Sequence, residues 1–194
     1  MKKVILSLGL LAGISATAQA QATFGVKAGA TLTNFMGDDV SDESDNKFGF
    51  LAGVVANFPV NDMFSVQPEV LFSQKGAEAG DTKLNQNYVD VPVMVKVNTG
   101  DNGSGLFFEL GPQFGLLVSS KTGDTDTKEA FNTFDFGYAA GLGYQLESGL
   151  NFGLRYNGGI TNVLKEVDVL GSSVQPKSRN SAFQLSVGYM FGGK

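Results

Sequence analysis

Beyond residue 22, apolar side chains recur at every second position, a period that suits a pleated strand and no helix. The pattern is cleanest near the C-terminus, where Phe183, Leu185, Val187, Tyr189 and Phe191 alternate with Gln184, Ser186, Gly188 and Met190. The preceding run sets Leu150, Phe152, Leu154 and Tyr156 against Asn151, Gly153, Arg155 and Asn157. Before it, Phe134, Phe136, Tyr138, Leu142 and Tyr144 alternate with Asp135, Gly137, Ala139, Gly141 and Gly143. No amphipathic stretch of three helical turns follows Ala20. The chain therefore reads as all-β, with one aromatic face and one face of glycine and polar residues.

The alternation divides into eight strands, near residues 23–35, 48–58, 63–74, 88–97, 106–118, 133–146, 150–157 and 181–191. The connections alternate long and short: 36–47 is long, 59–62 short, 75–87 long, 98–105 intermediate, 119–132 long, 147–149 short and 158–180 longest. An even strand number with long loops at one end and short turns at the other predicts an eight-stranded antiparallel up-and-down transmembrane β-barrel, with both termini on the short-turn side. Residues 21–194 are expected to form that one barrel domain.

Residues 1–20 read as a cleaved signal peptide. Lys2 and Lys3 form a positive head, Val4 to Ile14 an apolar run, and Ala18-Gln19-Ala20 a small-residue cleavage site. The apolar run is about half the ~20 residues a membrane helix requires. Export after cleavage places the chain in the cell outer membrane. The whole chain has 14 basic and 19 acidic residues and a net charge of −5, which becomes more negative once Lys2 and Lys3 are lost. That is no electrostatic footprint for nucleic acid.

If the aromatic face meets lipid, the other lines the barrel. It carries a charge network of Lys27, Glu69, Asp90, Lys96, Glu109, Asp135 and Arg155, four acids against three bases, with Gln67, Gln113 and Gln145 among them. Charges in so narrow an interior require pairing and hydrogen bonds. Glycine is dense on the same face, from Gly25 and Gly29 through Gly137, Gly141 and Gly143 to Gly188. Glycine leaves room for long side chains and for the coiling of a closed sheet. Pro68, Pro92 and Pro112 conflict with this scheme, because each removes a ladder donor from a sheet without edges. Bulges, or strand ends projecting past the paired region, are the expected remedy.

There is no His and no Cys, so the usual general base, thiolate nucleophile and soft metal ligands are missing. An enzyme is not expected, nor any cofactor. Asp38, Asp39, Asp42, Glu43 and Asp45 make the first long loop acidic, and Asp124, Asp126 and Glu129 the third, but neither has the order of a calcium loop. Both read as solvated loops able to meet a surface ligand. Three readings stay open: a structural or surface-interaction barrel with a side-chain-plugged lumen, a narrow porin-like channel for ions or small solutes, and a soluble lipocalin-like periplasmic barrel whose aromatic face turns inward around an apolar ligand.

Four segments carry a family resemblance: Phe24-Gly25-Val26-Lys27-Ala28-Gly29, the stretch from Ser65 to Gly76 centred on Gln67-Pro68-Glu69, the stretch Tyr88-Val89-Asp90-Val91-Pro92-Val93-Met94-Val95-Lys96, and Val187-Gly188-Tyr189-Met190-Phe191. Together they resemble the PorT-like outer-membrane β-barrel family, often labelled porin family proteins. Val97 stands where an aromatic is usual, and Gly192-Gly193-Lys194 follow the last aromatic. The resemblance implies an eight-stranded barrel in outer-membrane lipid, inserted by the barrel-assembly machinery through its terminal aromatic strand.

Overall fold

The computed structural model describes residues 22–37, 46–79, 82–100, 103–169, 172–174 and 177–191. The predicted signal peptide, the acidic run from Asp38 to Asp45 and Gly192 to Lys194 lie outside the described residues. The strands are β1 (Thr23–Met36), β2 (Lys47–Pro59), β3 (Phe64–Ala79), β4 (Thr82–Asn98), β5 (Gly105–Thr122), β6 (Thr125–Asp126), β7 (Phe134–Gln145), β8 (Leu150–Gly159), β9 (Val167–Val169), β10 (Ser172–Val174) and β11 (Arg179–Phe191). A short 3-10 turn spans Lys128–Ala130.

The sheet runs β4-β3-β2-β1-β11-β8-β7-β5 and closes through β4–β5, every pairing antiparallel, so the eight long strands form a barrel with the expected topology. Carried from strand to strand at constant register, Phe24 returns to β1 at Asn34, a shear of ten residues. Eight strands at this stagger tilt steeply and leave an interior only wide enough for side chains. Burial alternates along each strand: Phe24, Val26, Phe183, Leu185, Val187, Tyr189 and Phe191 point out, and Lys27, Thr31, Gln184 and Met190 point in. The chain thus does not adopt the inverted, lipocalin-like arrangement with aromatic residues inside.

Two connections differ from expectation. The segment 75–87 is not a long loop, because β3 and β4 continue pairing through Lys75↔Gln86 to Ala79↔Thr82. Polar residues on both faces made it look like coil, but a hairpin rising above the apolar band meets water outside and needs no greasy face. Likewise β5 runs on to Thr122 and turns back into β6. The loops after β6 and β8 fold over the long-loop end of the barrel instead of standing away from it. Phe131 and Val163 are buried there with Tyr88 and Leu117, flanked by Phe35, Leu84 and Leu164. The Asn132 amide N–H donates to the Val163 carbonyl at 2.8 Å, and Lys165 N–H to the Ala130 carbonyl at 3.1 Å, tying the two loops into one cap.

The three prolines are accommodated without bulges. Pro68, Pro92 and Pro112 pair with Val93 of β4, Gln113 of β5 and Tyr138 of β7. Towards the preceding strand, pairing lapses between Val55↔Glu69 and Phe58↔Val66, between Pro68↔Val93 and Leu71↔Asp90, and between Pro92↔Gln113 and Val95↔Leu110. Register is the same on both sides of each lapse. Each proline sits where its ladder skips two pairs, the gap that one missing N–H leaves in an antiparallel pairing while the strands stay in register. The one register shift among these three pairings lies elsewhere, between Asn87 and Tyr88.

Pro112→Ala should therefore change stability by no more than about 1 kcal/mol, since it restores at most one ladder hydrogen bond. Leu110→Pro, two residues away where pairing is intact on both sides, should destabilise by about 1–3 kcal/mol. Urea unfolding of the refolded barrel, read by heat-modifiable gel migration, checks both.

Candidate functional site: the charged interior

The seven charges that sequence parity places inside come from six strands. The structure puts all of them in the lumen, each no more than 9% exposed. Arg155 on β8 is the hub. Its two terminal nitrogens fork onto Glu69 of β3 at 2.8 Å each, and its Nε donates to Glu109 of β5 at 2.7 Å. Glu69 Oε1 also accepts from Lys27 Nζ at 2.7 Å and from Gln67 Nε2 at 2.8 Å. A bidentate fork shared among several donors is the geometry that makes a buried carboxylate tolerable.

Glycine sets the spacing of this cluster. Gly141 pairs with Glu109 on one side and Arg155 on the other, so it lies between the two partners. A Cβ there would stand 2.9 Å from Glu109 Oε1 and 3.2 Å from Arg155 Cβ, wedged into the ion pair. Gly115 holds the same place between Asp90 and Asp135.

The second cluster lies nearer the capped mouth. Asp90 accepts from Lys75 Nζ at 2.9 Å and from the Ser73 hydroxyl. Lys75 also lies over the Tyr88 ring, 4.5 Å from its centroid. Asp135 is held by neutral donors, Asn180 Nδ2 at 2.8 Å and Thr161 Oγ1 at 2.9 Å. Lys96 donates to Gln145 Oε1 at 2.7 Å and sits 4.1 Å from the Phe107 centroid. Among the described residues neither Asp135 nor Lys96 forms a salt bridge, so not every interior charge is paired with an opposite one.

Parity reasoning missed Lys47 and Lys75, both buried, because strands ended too early left them in loops. With them the described interior has five bases against four acids, reversing the expected acidic excess. The signal was available, since Lys75 continues the inward series Glu69, Leu71, Ser73 and Lys47 precedes Gly49 by two. The lumen leaves little space. Among the described residues, voids of about 10 Å³ occur in it, one lined by Lys75, Gln113, Asp135, Asn157 and Asn180. Another is lined by Lys27, Val55, Lys96, Phe107, Glu109 and Asn151. No group of three metal-ligating side chains occurs among the described residues, and Asp126 instead accepts from the Lys128 amide N–H at 2.9 Å.

The barrel is similar in fold to two solved surface proteins. Neisserial surface protein A is 18% identical, with a TM-score of 0.56 over 88% of this chain and 99% of that one. Ail of Yersinia pestis, solved with the heparin analogue sucrose octasulfate, is 15% identical, with a TM-score of 0.53 over 88% of this chain and 99% of its own. Among curated proteins none matches. The family model for the outer membrane protein beta-barrel domain matches residues 17–165, most of the sequence. The narrower PorT-like likeness stays with the four motifs that carry it. On the closed eight-stranded topology and this match, the chain belongs to the outer-membrane β-barrel domain family.

Proposed function

We propose that this protein is an integral outer-membrane barrel whose lumen is a plug and whose work is done as a scaffold and at its long-loop surface. The observation that carries the reading is the filled interior. The voids found in it among the described residues, about 10 Å³ each, are the size of one water molecule. Between them runs the cluster of Lys27, Glu69, Glu109 and Arg155, and above them the cap of Phe131 and Val163. A porin-like channel would need a continuous wet path past Arg155, and a ligand-binding barrel would need an apolar cavity; the geometry favours neither. Nor does the interior favour catalysis, since each of its carboxylates is engaged by a cation, an amide or a hydroxyl and no His is present to serve as a base.

In this reading signal-peptide-directed export delivers the chain, the assembly machinery inserts it, and the terminal strand's Phe183, Leu185, Val187, Tyr189 and Phe191 contact lipid. Surface recognition falls to the loops, as is usual on a rigid scaffold. Any ligand there differs in kind from the sulfated sugar bound to Ail. The loops of this chain carry Asp38, Asp39, Asp42, Glu43, Asp45, Asp124, Asp126 and Glu129, which repel a polyanion.

The purified barrel in planar bilayers should show no steady conductance, and discrete channel openings would instead support the porin reading. Arg155→Ala leaves Glu69 and Glu109 without their principal cation and should destabilise by about 3–5 kcal/mol in urea titrations. A stable variant that conducts would make Arg155 a gate. Val187→Arg should destabilise by about 2–4 kcal/mol in liposomes if the side chain lies near the bilayer midplane, and an effect near zero would contradict lipid contact.

A further inference from the structure

Lys96 and Glu109 are direct cross-strand partners on β4 and β5, both facing inward. Opposite charges in such register normally meet, yet these two turn away from each other. Glu109 Oε1 accepts from Arg155 Nε, and Lys96 Nζ donates to Gln145 Oε1. Two consequences follow. Glu109 Oε2 is buried without a hydrogen-bond partner among the described residues. The Lys96 ammonium, with three N–H donors, has one hydrogen bond to a described side chain and rests otherwise on the Phe107 ring. Both groups line the same void of about 10 Å³, with Gln67 and Asn151 also on its wall.

We propose that this void is a binding site for one tightly held water molecule, which accepts from Lys96 and donates to Glu109 Oε2, turning a broken cross-strand pair into a water-bridged one. The site has the volume of one water and the two to four polar neighbours that an internal water requires. The chemistry selects the ligand. A halide would face the unpaired carboxylate oxygen, a metal cation would face Lys27, Lys96 and Arg155, and an apolar atom would leave both charges unsolvated. Only a small dipole that donates on one side and accepts on the other serves both groups. Exchange is expected through the short-turn end, where Gln145, the Lys96 partner, also lines an open groove between the turns containing Ser104 and Glu147. The site rests on the closed interior proposed above, because a water-filled pore would hold no single ordered molecule.

The test is a crystal structure of the refolded mature barrel at a resolution that shows ordered water, with a bromide soak, together with Val55→Ile. Val55 lines the void, and the added methyl group competes for the same space. The proposal expects a density peak within hydrogen-bond distance of both Lys96 Nζ and Glu109 Oε2 and no anomalous bromide signal. It also expects Val55→Ile to shift the unfolding equilibrium about 5- to 30-fold towards the unfolded chain. An empty void, a direct Lys96–Glu109 contact or a bromide peak overturns it, as does a Val55→Ile barrel that gains stability, since filling a dry void is favourable. If the variant does not refold, the wild-type density decides. Conductance measured on the same preparation separates the two readings: a conducting barrel without this density sinks the plug and the site with it, and a silent barrel with no density sinks the water site alone.

Discussion

The Arg155 guanidinium, forked onto Glu69 and joined to Glu109, ties β8 to β3 and β5 across the width of the lumen. The surroundings are arranged to allow this. The steep stagger of eight strands brings non-neighbouring strands within reach of one side chain. Gly141 removes the Cβ that would stand between Glu109 and Arg155. Lys27 and Gln67 complete the shell of Glu69, whose side chain is fully buried. Without disulfides, since the chain has no Cys, the interior must be held by such contacts and by the closed ladder. A buried ion pair is weak evidence of net stability, but losing one member leaves the others uncompensated. The cluster therefore behaves as a unit.

Facing was legible because a strand has a period of two, and any charge on the glycine parity had to point inward. That logic puts Lys27, Glu69, Asp90, Lys96, Glu109, Asp135 and Arg155 on the inward parity, where all seven are buried, but says nothing of partners. Which charges meet depends on stagger, and stagger depends on pairing between strands far apart in sequence. So Asp135 lies with Asn180 and Thr161 rather than a cation, and Lys96 with Gln145. Strand ends were less legible. Lys75 and Gly76 begin a polar stretch that resembles a loop, although the inward parity continues through it. The prolines posed a different difficulty. Parity tells which face a side chain occupies, whereas the fate of Pro92 turns on which neighbouring strand its nitrogen faces, and only the register of β3 on β4 supplies that.

The cap was the least legible element. Phe131 and Val163 are single apolar residues within polar loops, with no periodicity to announce them. Their burial with Tyr88 and Leu117 follows from the barrel's own geometry. Tyr88 and Leu117 have inward parity near the top of long strands, above the polar clusters. Apolar side chains left at an open mouth would face water, and folding two loops over them removes that surface.

A polar interior also resolves an ambiguity that a greasy one would leave. In a strand, a slip of one residue exchanges the two faces completely. Were both faces apolar, slipped and native registers would differ little in lipid, and the chain could insert in several ways. With Arg155, Glu69 and Glu109 on one parity and Phe152, Leu154 and Val70 on the other, any one-residue slip drives charges into hydrocarbon. The penalty is about 2–4 kcal/mol for a basic residue at the midplane, and less for a carboxylate. Summed over the interior charges, it exceeds the few kcal/mol that normally separate folded from misfolded chains. The same buried charges thus specify the register in which the barrel closes, so a polar interior serves folding independently of any transport.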